Sequence, residues 1–212
     1  MSRRPLIAIV DYGAGNLVSI DQALTTVGAD VRVARDAEAL RDADAVIVPG
    51  VGAAAPAMAR LDRRGLTEPI RAWLGAGRPF LGICLGLQLL FEGSDEDGAT
   101  TLGVLQGRAQ RLVDAPTLPH IGWNQVERTR QHPLFEGIDD GADFYFVHSY
   151  AGAPATAGAG ADNVQLAQTT HGRPFTSAIE RGALLGVQFH PERSGPDGLR
   201  LLRNFVELVR AA

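Results

Sequence analysis

A chain of 212 residues that is 45% hydrophobic and 21% charged carries enough apolar side chain to bury a core, and its length is within reach of one domain, 1–212. A formal net charge of −4 excludes the basic surface of a nucleic-acid binder, and a single cysteine excludes an intrachain disulfide and fits a reducing compartment. No apolar run approaches the roughly 18–20 residues that cross a bilayer, and the run behind Met1-Ser2-Arg3-Arg4 is too short for a signal sequence, so a cytoplasmic location is expected.

Leu6–Val10 is a continuous apolar run and predicts a first buried strand. It opens into Asp11-Tyr12-Gly13-Ala14-Gly15-Asn16, where Asn16 can cap a helix with Leu17, Ile20, Leu24 and Val27 at helical spacing and Gly28 at its end. A dinucleotide fingerprint fails here, because the third glycine of G-x-G-x-x-G falls on Val18 and no acid follows at the required distance. No cofactor is expected. Further strands are predicted over 30–34 and 45–48, the latter running into Pro49-Gly50-Val51-Gly52. Two glycines in that loop leave backbone N–H groups uncovered, which suits an oxyanion hole and equally an ordinary turn. Alanine-rich helical stretches follow, broken at Gly65 and Gly75.

The next strand, residues 80–83, turns into LGLQLLFE, a run of good helix formers. Between strand and helix stands Cys84, flanked by Gly82 and Gly86 as G-x-C-x-G. This is the spacing of a nucleophile elbow with sulfur in place of a hydroxyl. A helix N-terminus favours a thiolate and offers Leu85 N–H to an oxyanion, whereas a lone cysteine is also a small buried hydrophobe. Repeated strand, loop and helix predict a mostly parallel α/β sheet with sites at the carboxyl ends of its strands, where Cys84 and the PGVG loop fall.

Beyond an exposed acidic loop at 94–98, short strands are predicted over 104–112, 121–127, 144–150, 164–169 and 176–180, as additions to the sheet edge and a smaller antiparallel layer. Residues 151–163 are small and polar and read as a mobile surface loop. A strand over 184–189 closes in His190-Pro191-Glu192. Pro191 stiffens the link, so Glu192 can accept from one ring nitrogen of His190 and leave the other for a nucleophile. A solvated strand-end turn is the alternative; a lone elbow cysteine elsewhere favours a Cys-His-Glu triad. The other histidines, His120, His132, His148 and His171, show no metal spacing, and no metal is expected. A final helix places Leu199, Leu202, Phe205, Val206 and Val209 on one face.

PGVGA, GICLGLQLLFE and GVQFHPE, in this order, resemble the class I, triad-type glutamine amidotransferases, and DYGAGNL, HIGWN and FYFVHSY resemble the glutaminase subunits of imidazole glycerol phosphate synthase. The resemblance runs from Ile9 to the last helix. It implies a three-layer, flavodoxin-like fold and a triad of Cys84, His190 and Glu192. The oxyanion hole would come from Val51 or Gly52 and Leu85. Glutamine would be held by Gly50, Gln88, Glu96, His148, Ser149 and Tyr150, with Glu96 on its ammonium. A (β/α)8 cyclase subunit would use the ammonia in histidine biosynthesis, contacted by Asn16, Trp123, Tyr145 and Arg193. Arg193 stands where the family is expected to carry lysine, so the ion-pair geometry there differs. Trp123 also fits a core position. Rival readings are another triad amidotransferase, a cysteine peptidase on the same elbow, or a regulatory domain with a dead site.

Overall fold

The computed structural model describes residues 3–155 and 164–212. Five parallel strands form its centre: β1 (Leu6–Val10), β2 (Asp30–Ala34), β3 (Ala45–Gly50), β4 (Phe80–Cys84) and β12 (Leu184–Val187), ordered β2-β1-β3-β4-β12. The four inner ones, buried on both faces, read as near-continuous apolar runs rather than as alternating ones, while β2 at the edge, Asp-Val-Arg-Val-Ala, alternates and is only partly buried. The alternation is in the destination of the side chains. Ile7, Ile9, Ile47, Leu81 and Ile83 pack with α1 (Leu17–Thr26) and α5 (Gly195–Ala211), while Ala8, Val10, Val46, Val48 and Phe80 pack with α2 (Ala54–Arg63) and α3 (Thr67–Gly75). Helix, sheet and helix thus form the three layers expected. On α5, Leu202, Phe205, Val206 and Val209 are buried as predicted, joined by Leu201, while Leu199 is only partly buried.

The sheet continues antiparallel through β11 (Arg173–Arg181), β10 (Gln165–His171), β7 (His120–Arg128) and the outermost β8 (Ala142–His148). A second sheet joins β5 (Gly93–Ser94), β6 (Gly107–Arg111) and β9 (Tyr150–Pro154); β5 and β6 run parallel, so it is mixed rather than antiparallel. At Ser149 the chain leaves the large sheet and enters the small one. The strand predicted over 144–150 is therefore two strands, and 150–154 is strand rather than loop; the rest of the predicted mobile segment, 156–163, lies outside the described residues.

Two further expectations are corrected. The elbow helix α4 is a single turn, Leu85–Gln88. Beyond Gln88 the bonds tighten to i−3, Leu90 N donating to Leu87 O and Phe91 N to Gln88 O, and the next carbonyls are bonded from a later segment: Leu102 N donates to Leu89 O, Gly103 N to Phe91 O, and Val104 N and Leu105 N both to Leu90 O, which takes those N–H groups out of any strand. For the same reason β6 starts at Gly107 rather than at 104. Of the two readings left open for Trp123, interface and core, the core one falls, since the residue is 56% exposed on β7.

Candidate active site

Cys84 ends β4 at φ 54°, ψ −109°, a conformation strained for a non-glycine residue. The flanking glycines explain how it is tolerated. A Cβ on Gly86 would lie 1.8 Å from Val48 O, and one on Gly82 would lie 2.7 Å from the Gly86 carbonyl. Strand, turn and helix therefore touch backbone to backbone, and the thiol is left on the concave side. With α4 only one turn long, a summed helix dipole is a weak ally of the sulfur. What remains is the local N–H groups of that turn, Leu85 foremost, which have no intrahelical partner.

Cys84 and Leu85 line a cavity of about 190 Å³ with Gly52, Gln88, Glu96, His148, Ser149 and Tyr150, all predicted, and with Pro119 and Val147, which were not. Gly50 and Val51 are not in its lining. Gly50 is paired with Cys84 in the β3–β4 ladder, and the Val51 side chain is 48% exposed. Burial and the neighbouring Asp97 raise the Glu96 carboxyl above its ordinary range. It remains on the solvent side of the cavity, in the exposed acidic loop foreseen, although Ser94 at the head of that loop is buried.

His190 and Glu192 follow β12 across two residues of bend, in a single 3-10 turn begun by Pro191. His190 Nδ1 lies 2.9 Å from Glu192 Oε1, with both side chains nearly inaccessible. Nε2 is buried and makes no hydrogen bond of ordinary geometry among the described residues, yet Cys84 lies within interaction range. Burial alone would lower the imidazole. Hydrogen bonding and charge from Cys84 and Glu192 outweigh it and raise His190 to about 10, so the ring holds its proton at neutral pH. Sulfur, imidazole and carboxylate are brought together from positions 84, 190 and 192, as the triad requires.

Ser194 and Tyr145 clamp this turn, a role the sequence did not disclose for either. His190 N donates to Tyr145 O (2.9 Å), Ser194 Oγ donates to His190 O (2.6 Å), and Tyr145 N donates to Ser194 Oγ (3.0 Å). The Tyr145 ring carries Arg193 Cζ at 4.2 Å and meets Trp123 edge-on at 6.1 Å. Three of the four predicted partner contacts thus form one exposed ladder beside the triad. Asn16, the fourth, is exposed and caps α1, its Oδ1 accepting from Ser19 N at 3.4 Å. Its loop reaches the other wall of the site through Tyr12, whose buried hydroxyl donates to Pro49 O at 2.9 Å.

Contacts among three of the histidines went unpredicted. His120 Nδ1 lies 3.3 Å from His148 Nε2, and His171 stacks on His120 at 4.0 Å. The tautomers follow from one carbonyl. His148 Nδ1 must donate to Tyr150 O (2.9 Å), so its Nε2 accepts from His120 Nδ1, and His120 Nε2 in turn accepts from Asn124 (3.1 Å). Such a chain needs neutral rings. Burial, with His171 beside it, lowers His120 to about 4; burial lowers His148 to about 3 despite the Tyr150 carbonyl, helped by His120, His190 and His171. Among the described residues no His, Cys, Asp and Glu group is arranged to hold a metal ion.

Comparison with known proteins identifies the family. The glutamine amidotransferase class-I family matches residues 8–209. Imidazole glycerol phosphate synthase subunit HisH of Moorella thermoacetica is 49% identical over 207 residues, covering 97% of this chain and 96% of its own. The HisH subunit of Chloroflexus aurantiacus is 48% identical over 211 residues, covering 97% of each. Among solved structures, PurLQS from Thermotoga maritima superposes with a TM-score of 0.75 at 18% identity, over 97% of this chain and 99% of that one, a likeness of fold alone. The chain belongs to the class-I glutamine amidotransferases and, among them, to the HisH subunits of imidazole glycerol phosphate synthase.

Proposed function

We propose that the whole chain, 1–212, acts as one amidotransferase domain in which Cys84, His190 and Glu192 hydrolyse glutamine to glutamate and ammonia. The observation that carries this is the strained Cys84 at the floor of the cavity shared with Gln88, Glu96 and His148, backed by the buried His190–Glu192 pair. The Cys84 thiolate attacks the carboxamide carbon. His190 gives its Nε2 proton to the departing ammonia, leaving a thioester. It then takes a proton from water, whose oxygen displaces the sulfur and yields glutamate. Glu192 keeps Nδ1 protonated throughout. Leu85 N–H and a donor from Val51 or Gly52 hold the developing oxyanion, each such donor being worth about 3 kcal/mol.

The ammonia passes to a (β/α)8 cyclase subunit, which forms imidazole glycerol phosphate and aminoimidazole carboxamide ribotide in the cytoplasm. The Arg193–Tyr145–Trp123 ladder and Asn16 face that subunit. The relatives named above are subunits of such a synthase, and among the described residues no helix is long and apolar enough to cross a membrane. Ammonia release from glutamine, measured with and without the cyclase and its ribotide ligand, tests the assignment. Slow release alone, stimulated release in the complex and none from Cys84→Ala are expected. Wild-type rates from Cys84→Ala would end the nucleophile assignment, and brisk release indifferent to the cyclase would end the coupling.

A further inference from the structure

Gln188 is wholly buried, two residues before His190 on the connection from β12, and its backbone N–H is fixed to Ser177 O at 2.9 Å. A buried carboxamide needs partners at both ends. Here one backbone carbonyl dictates which end faces which partner. Tyr150 O can only accept, so the Gln88 atom 2.7 Å from it is the amide nitrogen Nε2. That nitrogen also lies 3.0 Å from Gln188, whose facing atom must then be the oxygen Oε1. Gln188 is thereby obliged to turn its Nε2 to the Cys84 sulfur, 3.5 Å away. Both amide hydrogens of Gln88 are engaged, so its Oε1 is the atom left to meet a ligand in the cavity it lines.

We propose that Gln188 is a positioning residue for the amidotransferase reaction: its Nε2–H steadies the Cys84 sulfur as the thiolate, and its Oε1 sets Gln88 as an acceptor-only contact for N–H groups of the substrate. This rests on Cys84 being the nucleophile. The physical basis is that an N–H donor binds an anionic sulfur more strongly than a neutral thiol. A second consequence is selectivity. Gln88, held as an acceptor, pairs with the ammonium or carboxamide hydrogens of glutamine and offers no donor to a carboxylate in the same place.

Gln188→Met keeps the length of the side chain and removes both hydrogen bonds, while Gln188→Glu turns an acceptor toward the sulfur. The pH dependence of Cys84 alkylation by iodoacetamide is the first readout, taken on the full chain. Its midpoint is expected to rise by about one pH unit in Gln188→Met and further in Gln188→Glu. The value of kcat in the cyclase complex should fall about tenfold in Gln188→Met, with KM rising as Gln88 is freed. A folded Gln188→Met protein with the wild-type alkylation profile overturns the inference. The second readout needs no variant of Gln188. In wild-type protein carrying ¹⁵N-labelled glutamine, the Gln188 amide resonance should titrate with the sulfur, and in Cys84→Ala it should not; a resonance that ignores the sulfur equally overturns the proposal. Ammonia release by Cys84→Ala separates the two levels. If that variant remains active, the nucleophile reading itself fails; if it is dead while Gln188→Met matches wild type, only the role of Gln188 fails.

Discussion

Glu192 Oε1 sits 2.9 Å from His190 Nδ1 across a single proline, and burial of both side chains makes the pairing obligatory for each. Glu192→Gln keeps the shape but removes the charge and admits an amide donor, which favours the wrong imidazole tautomer. We expect kcat for glutamine hydrolysis to fall by about 10² to 10⁴ with little change in KM. Steady-state ammonia release in the complex checks this. A loss under threefold would mean the carboxylate does not orient the ring.

The backbone of Cys84 stores strain that only glycine can relieve. Cys84→Ala and Cys84→Gly should both be inactive. Of the two, the glycine variant should be the more stable, by about 1 kcal/mol, because φ 54° disfavours any Cβ. Denaturant unfolding of the two proteins measures the difference directly. The reverse order would show that the elbow relaxes once the thiol is gone.

The histidine group makes a claim about acid. His120 and His148 have folded values near 4 and 3, below the ordinary 6.5, so each binds a proton more readily when unfolded. Their contribution is intact above about pH 6.5 and is withdrawn as pH falls toward the folded values, on the order of a few kcal/mol in sum. His190 works the other way: raised to about 10, it adds stability that is complete below about 6.5 and fades as pH climbs to 10. Thermal unfolding midpoints should therefore drop on both sides of neutrality. His120→Gln should make the acid limb shallower and leave the alkaline limb in place. Parallel acid limbs for His120→Gln and wild type would remove His120 from the account.

Trp123 is an exposed aromatic held edge-on against the Tyr145 ring, and exposed tryptophans of this kind are favoured at interface centres. Trp123→Ala should change the stability of the isolated chain by no more than about 0.5 kcal/mol. It should weaken cyclase binding by about 2 kcal/mol or more. Calorimetric titration with the cyclase decides; unchanged affinity would place the interface elsewhere.

Much of the fold is visible in one dimension because its causes are local. Leu6–Val10 and Phe80–Cys84 are apolar throughout since both sheet faces are covered, and Gly82 and Gly86 mark the elbow because a side chain at either would collide with backbone. The features that escaped are products of register. Gln188 meets Cys84 across 104 positions, and His120 meets His148 because β7 and β8 pair them directly. The single-turn length of α4 was hidden for a similar reason. LGLQLLFE is good helix sequence, and its tightening to i−3 bonds after Gln88, in a stretch whose carbonyls are bonded by N–H groups of residues 102–105, depends on a distant segment that propensity cannot foresee. The grouping of Cys84, His190 and Glu192 was legible because the lone cysteine stands between two glycines at the end of an apolar run and His-Pro-Glu closes another; the clamp by Ser194 was not, since a serine after HPER carries no mark of its own.

The ladder between β3 and β4 runs as far as Gly50 opposite Cys84 and stops there. The sulfur is thus anchored to the sheet through the last bonded rung, while Val51 and Gly52 lie just past it. A contact on those two residues can re-aim a peptide N–H without moving the Cys84 sulfur, because adjacent links of the chain there do not share a support.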